Sequence, residues 1–396
     1  MNSGPILTIN SGSSSLKLGI FVPKDGDENA LCEALVDGVG KANAKLEVRD
    51  AAGKVLHSAS PGAIGSQNAL REVCAWLEER FKIKPVAIGH RVVHGGPTLT
   101  THQEITPALI GELRRSVHFA PLHIPAALAL IDAAQKIYGG ISQYACFDTA
   151  FHRTLPEAAA RFALPSDLFQ EGVRRYGFHG LSYESILHAL GSNAPDRIVI
   201  AHLGNGASLA AVSRGISVDT TMGLTPTGGI PMGTRAGDLD PGVVLYLLQN
   251  KKMSAGEVEQ LLNHGSGLLG LSGKTADMRE LEVSARQGDP NAQLAIDVFA
   301  RAIKKTIGAY AALLGGLDLL VFTGGIGEHS ASLRASVCGD LDFLGINLNP
   351  KQNSVNATTI SSGTTKLRVA VIPSEEDRQI ARHCRVLLST KSDSVH

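Results

Sequence analysis

Cysteine pairs that could staple or ligate are missing from this chain. Its five cysteines, Cys32, Cys74, Cys146, Cys338 and Cys384, are scattered, odd in number and never spaced CxxC. That argues against a disulfide framework or a thiolate zinc site and predicts a reduced, cytoplasmic setting. An excess of charge of either sign is also missing. Lys and Arg number 37 and so do Asp and Glu, so neither nucleic acid nor an anionic membrane surface is expected as a partner. The first residues lack a basic stretch followed by a long apolar one, which predicts no signal peptide. The most apolar late stretch, Ile307 to Phe322, is broken by Gly315, Gly316 and Asp318. It reads as a helix end, a turn and a buried strand, too interrupted to span a bilayer.

Glycine is what the chain has in quantity, 43 among 396 residues, as expected where chemistry sits on backbone turns. The length allows two domains, each with its own core. Leu7 to Phe21 reads as two apolar strands around the small polar turn Asn10-Ser11-Gly12-Ser13-Ser14-Ser15. Such a hairpin offers main-chain N–H groups and hydroxyls, and Lys17 adds a cation, so it suits a phosphate as well as it suits an ordinary solvated turn. A second hairpin, Arg197 to Thr221, repeats the design around Gly204-Asn205-Gly206-Ala207-Ser208. Two such hairpins so far apart predict two similar domains facing each other across a cleft. A third glycine-rich piece, Thr323 to Glu328, ends the apolar run LLVF as a strand-end turn, the place where open α/β sheets bind ligands.

Strands mixed with helices indicate an α/β fold. Helices are expected at Asn68 to Phe81 and Ile124 to Tyr138, and after the pairs Asp240-Pro241 and Asp289-Pro290, where Asp caps and Pro fits the first turn. A first domain is expected over 1–148, joined by a C-terminal helix at 376–396, with a second over 149–375. Two decoys fall away. SGLLGLSGKT has Leu268 where a P-loop needs glycine. His90 and His94 on one strand are roughly 13 Å apart, too far for one metal ion.

Arg91 in GHRVVHGG and Arg235 in MGTRAGD each sit among small residues at the end of an apolar segment. They read either as a partly buried arginine pair or as forks for a carboxylate or phosphate. His179, between Phe178 and Gly180, reads as a satisfied loop histidine or a charge-stabilising donor. Asp148, at a strand end before Thr149, reads as a helix cap or an active-site group.

Taken in order, GHRVVHGG, FAPLHIP, FDTAFH, YGFHG, HLGNG, PMGTRAGDLDPG, DMRE and TGGIGE, with the first hairpin, run almost end to end. With these motifs the chain resembles the acetate kinases, members of a superfamily with sugar kinases, heat-shock 70 proteins and actin. The resemblance implies two α/β domains of the actin-like ATPase (ribonuclease H-like) type and Mg2+-dependent, reversible phosphoryl transfer from ATP to acetate, giving acetyl phosphate and ADP. It also implies Mn2+ as an alternative metal and a homodimer. Propionate kinase is the rival of the same class; a non-catalytic nucleotide switch of the actin type is the rival of another. By resemblance, Arg91, Asp148, His179 and Arg235 are catalytic, and Val93, Leu122, Phe178 and Pro226 line the acyl pocket beside Arg91. The nucleotide would meet Lys17, His202, Leu203, Gly204, Asn205 and Gly206 at its phosphates, Asp277, Met278 and Arg279 near the ribose and base, and Gly325, Ile326, Gly327, Glu328 and His329 around the adenosine. Asn10 and Glu376 would be linked to the metal. An acetate acceptor is already ionised at neutral pH, so Asp148 is expected to orient Arg91 or a metal-bound water, not to abstract a proton. The chain departs from the family pattern at Leu181 and Tyr183, where Thr and His are usual, and at Glu375-Glu376-Asp377, where Asn-Glu-Glu is usual.

Overall fold

The computed structural model describes residues 4–12, 15–121, 123–363 and 366–393. Two compact units emerge, the first comprising Met1–Ala150, Gly180–Ser185 and Glu375–His396, the second Phe151–His179 and Ile186–Ser374.

The first unit is built on β1 (Ile6–Ser11), β2 (Ser15–Lys24), β3 (Asp27–Asp37), β4 (Lys45–Asp50), β5 (Val55–Ala59), β6 (Ala87–Val92), β7 (Gln103–Glu104) and β8 (Ser142–Phe147). Their order across the sheet is β5-β4-β3-β2-β1-β6-β8-β7. β1 is antiparallel to β2 and parallel to β6, with Asn10 opposite Lys17. β1 is buried along nearly its whole length, as a strand between two covered faces must be. One face carries Leu7, Ile9, Leu18, Val73 and Leu130 in a core with helices Ser66–Phe81 and Ile124–Ile137. On the other face, Ile6, Phe21, Tyr144 and Leu181 pack with Ile380 and Cys384 of helix Glu376–Asp393. Gly89 is what lets that helix lie so close to β6. A Cβ there would stand 2.4 Å from Ile380 Cγ2 and 2.6 Å from Cys384 Sγ. Leu181, one of the departures from the family pattern, is thus a core residue, and Tyr183 is fully buried as well.

The second unit has β9 (Arg197–Leu203), β10 (Ala207–Ser213), β11 (Ile216–Thr220), β12 (Leu319–Thr323) and β13 (Arg368–Val371), ordered β11-β10-β9-β12-β13. β9 is antiparallel to β10 and parallel to β12, as β1 is to β2 and β6. The five central strands of both units therefore share one topology, a three-strand antiparallel meander followed by two parallel strands, which is the actin-like arrangement. Helix Pro241–Gln249 is capped by Asp240, whose carboxylate accepts the Gly242 N–H at 2.7 Å. Helix Pro290–Leu313 is capped by Asp289 through the N–H groups of Asn291 and Ala292.

Two local expectations change. The second hairpin turn is shorter than the sequence suggested, because Ala207 already pairs with Leu203. The stretch after Thr323 is a short helix, Gly324–His329, and not an open turn. The Glu328 carboxylate accepts the Gly324 N–H at 2.9 Å and so closes the first turn on itself. Three glycines in six residues hide the periodicity that would have announced it.

Candidate active site

In the first unit, four pieces of chain bring four expected residues into one network. Arg91 is the fifth residue of β6, Asp148 directly follows β8, Asn10 is the last but one of β1, and Glu376 opens the last helix. Arg91 Nε lies 3.0 Å from both Asp148 oxygens, and its Nη2 donates to Asp148 Oδ2 at 2.6 Å. Arg91 Nη1 donates to Asn10 Oδ1 at 3.1 Å and stands 3.9 Å from Glu376 Oε2. Asn10 Nδ2 in turn donates to Glu376 Oε2 at 3.2 Å.

The Asp148 side chain is 1 % exposed and that of Arg91 is 15 %, so the pair is largely desolvated. Burial pushes the Asp148 carboxyl up, Arg91 holds it down, and the charges of Glu376 and Glu184 add to the rise. Burial works against the Arg91 charge, but Asp148 and then Glu376 outweigh it and raise its pKa. Both Asp148 oxygens are already occupied by the fork. An aspartate engaged in this way is placed to orient an arginine.

Asp377 belongs to the same cluster. Burial pushes its carboxyl up to about 6, against the pull of the Lys17 charge, and Glu376 adds to the rise. Its Oδ1 is buried with no hydrogen-bond partner. Nothing local singles out Asp377 beyond its departure from Asn-Glu-Glu; its neighbours Asn10 and Lys17 are some 360 residues away in the chain. Val93, two residues past Arg91, is 9 % exposed, and the Asp148 N–H donates to the carbonyl of Val92 just before it. Leu122 lies outside the described residues.

In the second unit the polar groups are of another kind. His179 has a left-handed backbone, φ 58°, and its Nδ1 shares a 2.8 Å hydrogen bond with Ser208 Oγ on β10. Its ring stacks on that of His202, centroids 4.2 Å apart. Gly206 lies against the ring, where a Cβ would meet His179 Nε2 at 3.1 Å and Arg235 Nη1 at 3.7 Å. Arg235 Nη1 donates to the carbonyl of Pro226 at 3.0 Å, so these two expected residues do meet. The hairpin turn is pinned by Gly204 N–H to the Gly206 carbonyl and by Gly233 N–H to the Asn205 carbonyl. Leu203 is fully buried. Phe178 is buried too, its carbonyl accepting from His152 Nε2 at 3.0 Å. His152 and Ser208 were not singled out by the sequence, although FDTAFH contains the first.

The remaining expected nucleotide residues sit on two helix starts. Asp277 caps helix Met278–Arg286, accepting the Arg279 N–H at 2.9 Å, while the Arg279 side chain pairs back to it and is largely exposed. Met278 is buried. In Gly324–His329, Gly325 is exposed, Ile326 partly so and Gly327 buried. Glu328 also accepts from the Ser374 N–H at 3.0 Å, and His329 Nδ1 donates to the Gly325 carbonyl at 3.0 Å. Glu328 is therefore spent on shaping its own segment. His90, the metal decoy, is buried against Gln143 at 2.6 Å, and burial lowers it to about 4.

This pairing of a desolvated arginine fork with glycine hairpins is matched along the chain by the acetokinase family model, over residues 5–382. The chain belongs to the acetokinase family. It is 44 % identical over 398 residues to the acetate kinase of Methylocella silvestris, covering 97 % of this chain and 98 % of that one. The solved structure of Porphyromonas gingivalis acetate kinase superposes with a TM-score of 0.86 at 37 % identity, covering 98 % of this chain and all of that one. A propionate kinase from Francisella tularensis superposes with a TM-score of 0.89 at 36 % identity, covering 97 % and 100 %. Family membership thus fixes a carboxyl-acceptor phosphotransferase as the enzyme class, while both short acids occur among these relatives.

Proposed function

We propose that this acetokinase catalyses reversible phosphoryl transfer from ATP to acetate, forming acetyl phosphate and ADP. The observation that carries the reading is the Arg91 fork, fixed on one side by both Asp148 oxygens and on the other by Asn10. A guanidinium held in that way is set for a planar carboxylate or a phosphoryl group. Transfer between two anions needs positive charge at the moving group more than it needs a base. Arg91 and Arg235 would each supply such charge. His179, steadied by Ser208, supplies a donor for an equatorial oxygen. Gly204 to Gly206 present main-chain groups to the nucleotide phosphates.

Magnesium fits the donors present. Asn10 and Glu376 offer hard oxygens within one network, and the buried, partnerless Asp377 Oδ1 adjoins them. These residues would hold the ion or its waters; when bound it supplies charge neutralisation of the phosphates. We place the enzyme in the cytoplasm, which the five free, buried cysteines support. A homodimer is supported by the exposed apolar side chains Leu239, Val243, Leu245 and Tyr246 around one helix.

Hydroxylamine trapping tests the reaction. ATP, Mg2+ and acetate should yield acetyl hydroxamate; ATP hydrolysis without hydroxamate would instead establish a nucleotide switch. Propionate should react less well, because Val93 leaves little room and one methylene is worth about 1–3 kcal/mol in such a pocket.

A further inference from the structure

Beside the Arg91 network, the described residues of the first unit hold another cluster of titratable groups, His102, Glu184 and His383. His102 Nε2 lies 3.3 Å from each Glu184 oxygen, and His383 Nε2 lies 2.7 Å from Glu184 Oε2. The two imidazole centroids are 3.9 Å apart. Two histidines and a carboxylate are also a metal donor set, but the hydrogen bonding decides against one. The Phe147 main-chain N–H donates to His102 Nδ1 at 3.0 Å. An amide N–H can only donate, so Nδ1 carries the lone pair and Nε2 the proton. A metal at Nε2 would force a proton onto Nδ1, against the amide hydrogen, whereas a ligating histidine normally donates from its other nitrogen. Glu184 thus accepts from His102 Nε2, while His383 Nε2 lies between Glu184 Oε2 at 2.7 Å and the Gln379 side-chain amide at 3.0 Å. Burial works to raise its carboxyl, but those hydrogen bonds bring it down to about 2.

Each arm of the cluster leads to the Arg91 network. Phe147 ends β8 and precedes Asp148. His383 lies on the helix that starts at Glu376, seven residues on and so about two turns along the same face. Glu184 belongs to Gly180–Ser185, whose Gly180 N–H donates to the Asp148 carbonyl at 2.9 Å and whose Ser185 Oγ accepts from the Glu375 N–H at 3.2 Å.

We propose that His102, Glu184 and His383 form a positioning clamp that fixes the Phe147–Asp148 main chain and the first turns of the Glu376 helix, and thereby aims Arg91. The inference rests on the phosphotransfer reading above. Two substitutions in the full chain separate the arms of His102. In His102→Asn the amide oxygen takes the place of Nδ1 and still accepts from Phe147. In His102→Gln the side chain reaches toward Glu184 and leaves the Phe147 N–H without an acceptor. The clamp predicts that His102→Gln loses kcat on the order of tenfold, keeps its KM for ATP, and exchanges the Phe147 amide hydrogen faster. His102→Asn should stay within about threefold of wild type in both rate and exchange. Equal behaviour of the two variants, whether both intact or both impaired, overturns the clamp. So does a rise in Tm of the wild type on adding Zn2+ alone that Glu184→Gln abolishes, since that would make the cluster a metal site. If the wild type forms no acetyl hydroxamate, the phosphotransfer reading fails, and amide exchange still decides whether His102 fixes Phe147.

Discussion

The two hairpins occupy equivalent places in two sheets of the same strand order, yet the chain equips them with opposite chemistry. At the end of β1, Asn10 meets Arg91, Glu376 and, beside them, Asp148 and Asp377. At the end of β9, His202 and Gly204 to Gly206 meet His179, Ser208 and Arg235. The first hairpin is surrounded by full charges whose burial is offset by pairing. The second is surrounded by main-chain groups, imidazoles, glycines and a single guanidinium, that of Arg235. A shared topology fixes where a turn stands; the residues delivered by other strands and helices decide what it does.

The largest effects should come from the charges. Arg91→Ala and Arg235→Ala should each lower kcat by about 10²–10³, since each removes a full positive charge from its network. A near-normal rate in one of them, measured by hydroxamate formation, would assign transition-state charge to the other arginine alone.

Asp377→Asn should sharpen the contrast through stability. A carboxyl raised to about 6 in the fold, from an ordinary value near 3.8, binds its proton more tightly folded than unfolded. Stability therefore falls as pH rises from about 4 to 6 and levels off above. The penalty at pH 7 is on the order of 2–3 kcal/mol. Asp377→Asn should accordingly raise Tm at pH 7.5, with the gain gone below about pH 4, while needing more Mg2+ for activity. No gain in Tm would mean that the charge is compensated in the apo fold.

Val93→Ala should shift preference toward propionate on the order of tenfold, read as the ratio of kcat/KM for the two acids; an unmoved ratio removes Val93 from the pocket. Smallest should be Ser208→Ala, which removes the partner of His179 Nδ1 and should lower kcat by about threefold to tenfold. A larger fall would show that the second hairpin, too, depends on a tightly held side chain.

Much of this was legible in the sequence. Asp-Pro helix starts and apolar strands are local signals, and they stood where expected, whereas two of the glycine turns did not keep their expected form. That Arg91, Asp148, Asn10 and Glu376 meet was legible through the order of the motifs. What stayed hidden depends on long-range closure. Glu184 meets His102 from 82 residues away and His383 from 199, and nothing local marks any of the three. Gly180–Ser185 joins the first unit although its neighbours on both sides belong to the second. Residues 24–60, a polar meander by composition, form three strands because β3 and β4 each pair on both sides.

The most direct test of the account is a double-mutant cycle on Arg91 and Asp148, read by the rate of acetyl hydroxamate formation. If Asp148 acts by aiming Arg91, Asp148→Asn should cost about 10–100-fold alone and almost nothing once Arg91→Ala is present. If the double variant is slower than Arg91→Ala by the full factor that Asp148→Asn costs alone, Asp148 works independently of Arg91, and the account is contradicted.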